Sequence, residues 1–93
     1  MSSPAKRYIR QRPVREEPMD DVLFLIDEAG HAIHMLEGAS PGIWNLLREP
    51  LSMTEAKRLL KTAFPGVPAQ RIARDVEALF DELDEAGLIT HAS

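Results

Sequence analysis

Two histidines and two glutamates lie close together in the first half of the chain, and these residue types can bind divalent metals. His31 and His34 are three positions apart, between Glu28 and Glu37. The segment alternates as a β-strand does, and positions three apart on a strand point to opposite faces of the sheet. The two imidazoles are therefore poorly placed to share one ion, and we predict no metal site here.

Four carboxylates crowd the C-terminal end of the longest helical segment, and such groups can act as general acids and bases. They are Asp81, Glu82, Asp84 and Glu85. A catalytic pair needs one carboxyl group that is removed from water, so that its pKa rises. Nothing around these residues provides such a site, and the pattern favours a solubilising helix face.

The composition excludes several other chemistries. The chain has no cysteine, so it has no disulfide, no thiolate metal ligand and no cysteine nucleophile. The spacing of its five glycines does not form a phosphate-binding loop. We therefore predict a binding module that is not an enzyme and that needs no cofactor.

The first half of the chain predicts three antiparallel strands. Residues 22–26 are an apolar run typical of a buried strand. Gly30 ends a short polar connection, which indicates a hairpin, and residues 31–36 form the return strand. Residues 13–17 are predicted as a short edge strand, because Pro13 is tolerated only at the start or the edge of a strand.

The second half of the chain changes to a helical period and predicts three helices. Ser40 followed by Pro41 is typical of a helix start, and Pro50 ends this first helix. Ser52 and Glu55 fit a capping box, which opens the second helix. The inward positions predicted for that helix are Ala56, Leu59, Leu60 and Ala63.

The third helix is predicted to be the longest. It begins at Pro68 and ends at Gly87, which is expected to act as a left-handed C-cap. Its apolar residues form one stripe about 100° wide, as in a helix that packs on a core. They are Ile72, Val76, Leu79, Phe80 and Leu83.

Strands that precede helices predict an α+β fold, with a small antiparallel three-stranded sheet packed on a cluster of three helices. Residues 13–93 are expected to form a single domain. Residues 1–12 are predicted to be a flexible basic arm. Five positive charges and no negative one fall in the first fifteen residues: Lys6, Arg7, Arg10, Arg12 and Arg15.

The N-terminal sequence lacks the apolar stretch of a signal peptide. The longest apolar run, residues 22–26, is far shorter than a membrane span. A cytoplasmic location is the prediction, with no membrane partner.

The last two helices are joined by a short Pro-Gly turn and resemble a helix-turn-helix pair. A winged-helix regulator that binds nucleic acid is therefore an alternative. Residues 68–86 carry two arginines against six carboxylates, however, and this balance would repel a duplex. A structural subunit of a larger enzyme complex is a further alternative.

Several short motifs follow one another in an order that is typical of one family. They are Ile26-Asp27, Gly30, Met35-Leu36, Gly42-Ile43-Trp44-Asn45-Leu46-Leu47, Thr54-Glu55, Asp75-Val76 and Gly87-Leu88-Ile89. Over about residues 13–90 the chain resembles the PqqD-like proteins, also called RiPP recognition elements. The resemblance implies a winged-helix-like bundle of three helices behind the sheet.

The resemblance also implies a function. Domains of this kind bind the leader segment of a ribosomally made precursor peptide and present it to a modifying enzyme, often a radical-SAM protein. The leader is expected to lie as an added strand beside the third predicted strand, facing the last helix. An unpaired strand edge can accept such a peptide through its own main-chain groups.

The peptide-binding residues follow from this arrangement. The predicted pairing edge consists of Ile33, His34, Met35 and Leu36, and the predicted helix contacts are Ile72, Asp75, Val76 and Leu79. Apart from Asp75, these helix residues fit the core equally well. An open edge also permits a homodimer, by pairing of two edges or by strand swapping.

Overall fold

Six short strands and three helices make up residues 6–92, the part of the chain that the computed structural model describes. In chain order they are β1 (Arg7–Arg10), β2 (Arg15–Met19), β3 (Val22–Asp27), β4 (Ala32–Leu36), α1 (Ser40–Leu46), β5 (Leu51–Ser52), α2 (Met53–Ala63), α3 (Ala69–Glu85) and β6 (Ile89–Ala92). The predicted α+β class is confirmed.

The predicted three-stranded antiparallel sheet is present, in the order β2-β3-β4. Its central strand, β3, places Leu25 opposite Glu16 of β2 and opposite His34 of β4. The β3–β4 turn closes at His31, whose φ of 53° lies in the left-handed region. The hairpin therefore leaves β2 and β4 as the two outer strands of this sheet.

A second sheet, in the order β5-β1-β6, was not predicted. Strand β1 is its centre, with Tyr8 opposite both Leu51 and His91. The prediction of a flexible arm is therefore wrong for Arg7–Arg10, because main-chain pairing on both sides holds this strand. The rest of the predicted arm includes residues 1–5, which lie outside the described residues.

The arginines of β1 also contact the helical half of the molecule. Arg7 lies 3.6 Å from the carboxylate of Glu55. The guanidinium of Arg10 is 4.0 Å from the centre of the Trp44 ring, and its Nη2 donates to the Trp44 carbonyl at 2.6 Å. A cation above an indole ring is a favourable contact. The basic residues of this segment therefore attach it to the rest of the domain.

Two of the predicted helix ends are confirmed in detail. The hydroxyl of Ser52 accepts a hydrogen bond from the Glu55 N–H, and the Glu55 carboxylate accepts one from the Ser52 N–H, both at 3.0 Å. At the end of α3, Gly87 has a φ of 73°, and the Leu88 N–H donates to the Leu83 carbonyl at 2.9 Å. This is a Schellman motif, in which glycine takes the left-handed position.

The start of α1 differs by one residue from the prediction. Its N-cap is Ala39, whose methyl side chain cannot accept a hydrogen bond, and Ser40 is the first helical residue. Pro41 still lies in the first turn. The N–H groups of this turn have no partner within the helix, so the missing N–H of proline costs no hydrogen bond.

The core lies between the three helices and the two sheets. The apolar stripe predicted for α3 is buried throughout. In α2, only Ala56 and Leu60 are buried, whereas Leu59 is 45% exposed and Ala63 is also exposed. The predicted inward face of α2 was thus too wide, because this helix packs through a narrow stripe. None of the helices in residues 6–92 is both long and apolar enough to cross a membrane.

Candidate functional site

Strand β4 is an open edge of its sheet. Within residues 6–92 it pairs with β3 alone. On such a strand, every second residue turns its N–H and C=O groups away from the partner strand. The strand contains no proline, and His34 is its only ionisable residue. Ile33 and Met35 expose 67% and 53% of their surface beside this edge.

The opposite edge of the same sheet, β2, is protected. It carries Arg15, Glu16 and Glu17, and Pro18 lacks an N–H. Charged side chains and proline are the usual means by which proteins prevent another strand from pairing with an edge. Of the two edges, β4 is therefore the one at which an additional strand can pair.

A groove of about 580 Å³, here called the β4–α3 groove, runs between the C-terminal part of β4 and helix α3. Met35 and Leu36 line it from the strand, and Asp75 and Leu79 line it from the helix. The other residues that line it are Asp21, Val22, Glu37, Gly38, Ala39, Ser40, Ile43, Arg71, Ala78 and Glu82. A strand placed beside β4 would direct alternate side chains toward this groove.

One face of α3 forms the helical wall of the groove. Arg71, Asp75, Ala78 and Glu82 are spaced by four, three and four residues, which is the repeat of a single helix face. Leu79 lies beside Ala78 and is 5% exposed. The wall is therefore polar at intervals and apolar in its middle.

The structure brings four of the eight predicted binding residues to the groove, namely Met35, Leu36, Asp75 and Leu79. Ile33 is exposed on the outer face of β4, and His34 lies on the inner face. Ile72 and Val76 are only 5% and 0% exposed and belong to the core. For these two residues, the structure supports the core alternative.

His34 connects β4 to α3 at the border of the groove. Its Nδ1 lies 3.3 Å from Oε2 of Glu82. A carboxylate can only accept, so Nδ1 carries the hydrogen in this contact. The His34 side chain is 15% exposed, and its Nε2 is buried with no hydrogen-bond partner within the described residues. His34 therefore holds the strand against the helix.

Apart from Asp75, the charged residues of the groove were not predicted from the sequence. For Arg71 and Glu82 a signal existed, because they share a helix face with Asp75. Asp21 and Glu37 both line the groove because the register of β3 and β4 pairs Leu23 with Leu36, and short-range sequence patterns do not reveal that register.

A second depression, of about 320 Å³, lies between α1 and α2. Leu46, Leu59 and Phe64 contribute apolar surface to it, and they are 36%, 45% and 44% exposed. No strand residue lines this depression, so it offers no main-chain edge to an extended peptide. The β4–α3 groove is therefore the stronger candidate for such a ligand.

The outer surface of α3 is acidic, as its composition indicates. Asp81, Glu82, Asp84 and Glu85 are all exposed. Phosphate groups would be repelled by this face, which makes it poorly suited to act as a DNA recognition helix.

Among residues 6–92, the possible metal ligands do not form a cluster. Within the part of the chain that the structure describes, no group of three or more His, Cys, Asp or Glu side chains is placed to hold an ion. His31 lies exposed in the turn, whereas His34 faces α3.

A protein-family model described as Coenzyme PQQ synthesis protein D (PqqD) matches residues 23–89, which is most of the chain. Comparison with curated proteins and with solved structures gave no match. Members of the PqqD family are accessory proteins that bind a precursor peptide and interact with a radical-SAM enzyme in the synthesis of coenzyme PQQ. The matched segment includes the open strand β4, the three helices and every residue that lines the groove except Asp21 and Val22. Because the match covers most of the chain, the chain belongs to the PqqD family.

Proposed function

We propose that this domain captures the leader segment of a ribosomally made precursor peptide as an additional strand beside β4, and that it presents the peptide to a modifying enzyme. The observation that carries the proposal is the open edge of β4, which pairs only with β3 among the described strands. Membership of a family of peptide-binding accessory proteins supports a peptide as the ligand.

Affinity would come mainly from the main chain. Strand β4 has five residues, Ala32–Leu36, and its outward N–H and C=O groups match those of an extended peptide. Such hydrogen bonds depend little on the peptide sequence, because every residue except proline has the same backbone groups. Ile33 and Met35 add apolar surface beside the new strand.

Sequence preference would come from the β4–α3 groove. Side chains on one face of the added strand would enter it, since strand side chains alternate between two faces. Leu36, Ile43 and Leu79 supply an apolar floor, and Asp75 supplies a charged group at the wall. Ile72 and Val76 support α3 from the core side and would not contact the peptide.

The geometry of an edge complex supports the proposed presentation to an enzyme. A strand added at an edge has only one neighbour, so its far side remains in solvent. The peptide segments before and after the bound strand would then extend beyond the domain. A modifying enzyme can then approach the segment that it changes while the leader stays bound.

The binding step is tested by titrating the ¹⁵N-labelled protein with overlapping peptides from small open reading frames beside this gene. We expect the largest amide shifts in β4 and along the groove face of α3. Slower hydrogen exchange of the outward amides of β4 is also expected. Shifts confined to the depression between α1 and α2, or no shift with any peptide, would contradict the proposal.

Main-chain pairing is tested with two kinds of variant. Met35→Pro removes one donor of β4 and is expected to abolish binding while the circular dichroism of the fold persists. Because a proline can also disturb the pairing with β3, the second test changes the peptide instead. N-methylation of every second peptide residue should abolish binding when it blocks the amides that face β4. Methylation of the other set of alternate residues should spare binding. Equal binding of both methylated peptides would rule out strand addition.

Presentation is tested with the modifying enzyme itself. The domain is expected to speed modification of the full precursor and to have no effect on a precursor without its leader. Equal stimulation of both substrates would show that the domain acts on the enzyme and does not deliver the peptide.

A further inference from the structure

We infer that the peptide segment bound in the β4–α3 groove is basic as well as apolar; this inference rests on the proposed strand addition at β4. Five charged side chains line the groove, and four of them are acidic. The acidic ones are Asp21, Glu37, Asp75 and Glu82, and Arg71 is the single cation among the lining residues.

The protein's own groups compensate these charges only in part. Arg71 Nε lies 4.0 Å from Asp75 Oδ2, and both side chains are mostly exposed, so their attraction is weak. Glu82 contacts the imidazole of His34. Within residues 6–92, Asp21 and Glu37 have no ion-pair partner. The groove therefore keeps an excess of negative charge.

The basic N-terminal segment does not supply the missing cations, because its arginines contact other groups. Arg7 lies beside Glu55, Arg10 beside Glu16 and Trp44, Arg12 beside Asp27, and Arg15 beside Glu17 and Glu28. None of these arginines lines the groove. The net charge of −4 for the whole chain adds a long-range attraction for a basic ligand.

The spacing along α3 indicates where the basic residues of the peptide lie. Asp75 and Glu82 are seven positions apart on the helix, a rise of about 10 Å. Residues on one face of a strand repeat every ~7 Å. Two basic residues four positions apart, about 13 Å, reach both carboxylates through their flexible stems. The residue midway between them then lies over Leu79.

The expected pattern is thus a basic residue, an apolar residue two positions later, and a second basic residue two positions after that, all on one strand face. Acidic residues at the outer two positions would meet Asp75 and Glu82. Like charges that are brought together at an interface weaken binding and exclude wrong partners. The groove wall would therefore select against acidic peptides.

The test uses three synthetic peptides of about eight residues, an ordinary strand length. They share the central apolar residue and carry Lys, Gln or Glu at the two outer positions. Fluorescence anisotropy gives their Kd at low and at near-physiological ionic strength. We expect the Lys peptide to bind about tenfold more tightly than the Glu peptide at low salt, with a smaller ratio at higher salt.

A pair of matched variants separates the groove from the general charge of the helix. Asp75→Asn combined with Glu82→Gln should reduce the Lys-to-Glu preference to about threefold or less. Asp81→Asn combined with Asp84→Asn makes the same change in net charge at exposed positions of α3 outside the groove. This control should keep the preference. An equal loss in both variants would overturn the assignment to the groove.

The remaining outcomes distinguish this inference from the proposed function. If the Glu peptide binds as tightly as the Lys peptide and still shifts the β4 amides, the charge preference is wrong and strand addition stands. If none of the three peptides shifts the β4 amides, strand addition itself is contradicted. If the β4 amides shift with protein concentration alone, the occupant is a second copy of the chain and the inference is overturned.

Discussion

The Nη2 of Arg12 lies 2.6 Å from the Oδ2 of Asp27, and this nitrogen also donates to the Ala86 carbonyl at 3.3 Å. Asp27 ends β3, and Ala86 is the C-cap of α3. Asp27 is 3% exposed and also accepts a hydrogen bond from the Gly30 N–H at 3.1 Å. Arg12 therefore fixes the β3–β4 hairpin, which carries the open edge, to the helix that faces the edge.

The first prediction concerns the stability of the fold in acid. Burial alone would raise the pKa of Asp27, but the Gly30 N–H and the Arg12 guanidinium outweigh it, and the pKa is lowered. A carboxyl group with a lower pKa in the folded state stabilises the fold above its unfolded pKa. That contribution is lost as the pH falls below about 4. Asp27→Asn should thus lower the free energy of unfolding at neutral pH, and the unfolding free energy of the variant should decline less steeply as the pH falls below about 4.

Urea unfolding at a series of pH values measures this effect. Asp81→Asn, a change to an exposed carboxylate on α3, is the control and should leave the neutral-pH stability nearly unchanged. A curve for Asp27→Asn that runs parallel to the wild-type curve through the acid range would show that Asp27 does not carry the pH dependence.

The second prediction concerns the turn before β4. A methyl group on Gly30 would collide with the Oδ2 of Asp27 and displace its hydrogen bonds. Gly30→Ala is therefore expected to reduce the free energy of unfolding by about 1–3 kcal/mol. Gly66→Ala is the matched control, because a methyl group there meets open space, and a change within about 0.5 kcal/mol is expected. Equal effects in urea unfolding would mean that Asp27 can move aside freely.

The parts of the fold that were predicted from the sequence have local signals. The β3–β4 hairpin is marked by an apolar run and by Gly30, and α2 and α3 are marked by the capping box at Ser52 and by Gly87. Each of these signals depends on residues a few positions apart. They are therefore visible in a single sequence.

The second sheet lacks signals of this kind. Tyr8 pairs with residues more than forty positions away, at Leu51 and His91. The strands that meet there have four, two and four residues, too few to show a period. The basic side chains around Tyr8 are also typical of a solvated arm. Only the tertiary structure shows that it is a central strand.

Like the fold, the candidate site was predicted only in part from the sequence. The position of β4 at an edge followed from the strand order, but the division of α3 into a core face and a groove face did not. Val76 and Leu79 belong to the same apolar stripe, yet only Leu79 reaches the groove. That difference depends on how β4 packs beside α3 in the tertiary structure, which no pattern within α3 encodes.

The last prediction tests whether β1 is part of the stable fold. Tyr8 is 8% exposed and packs edge-on against Phe80, with ring centroids 5.3 Å apart. Tyr8→Ala should lower the free energy of unfolding by about 3 kcal/mol, because it leaves a cavity between the second sheet and α3. His91→Ala, opposite Tyr8 but exposed, should cost less than about 1 kcal/mol. Because β4 belongs to the other sheet, Tyr8→Ala should leave the Kd for peptide unchanged while the protein remains folded. A loss no larger than that of His91→Ala would show that the packing of Tyr8 on Phe80 adds little to the stability of the fold.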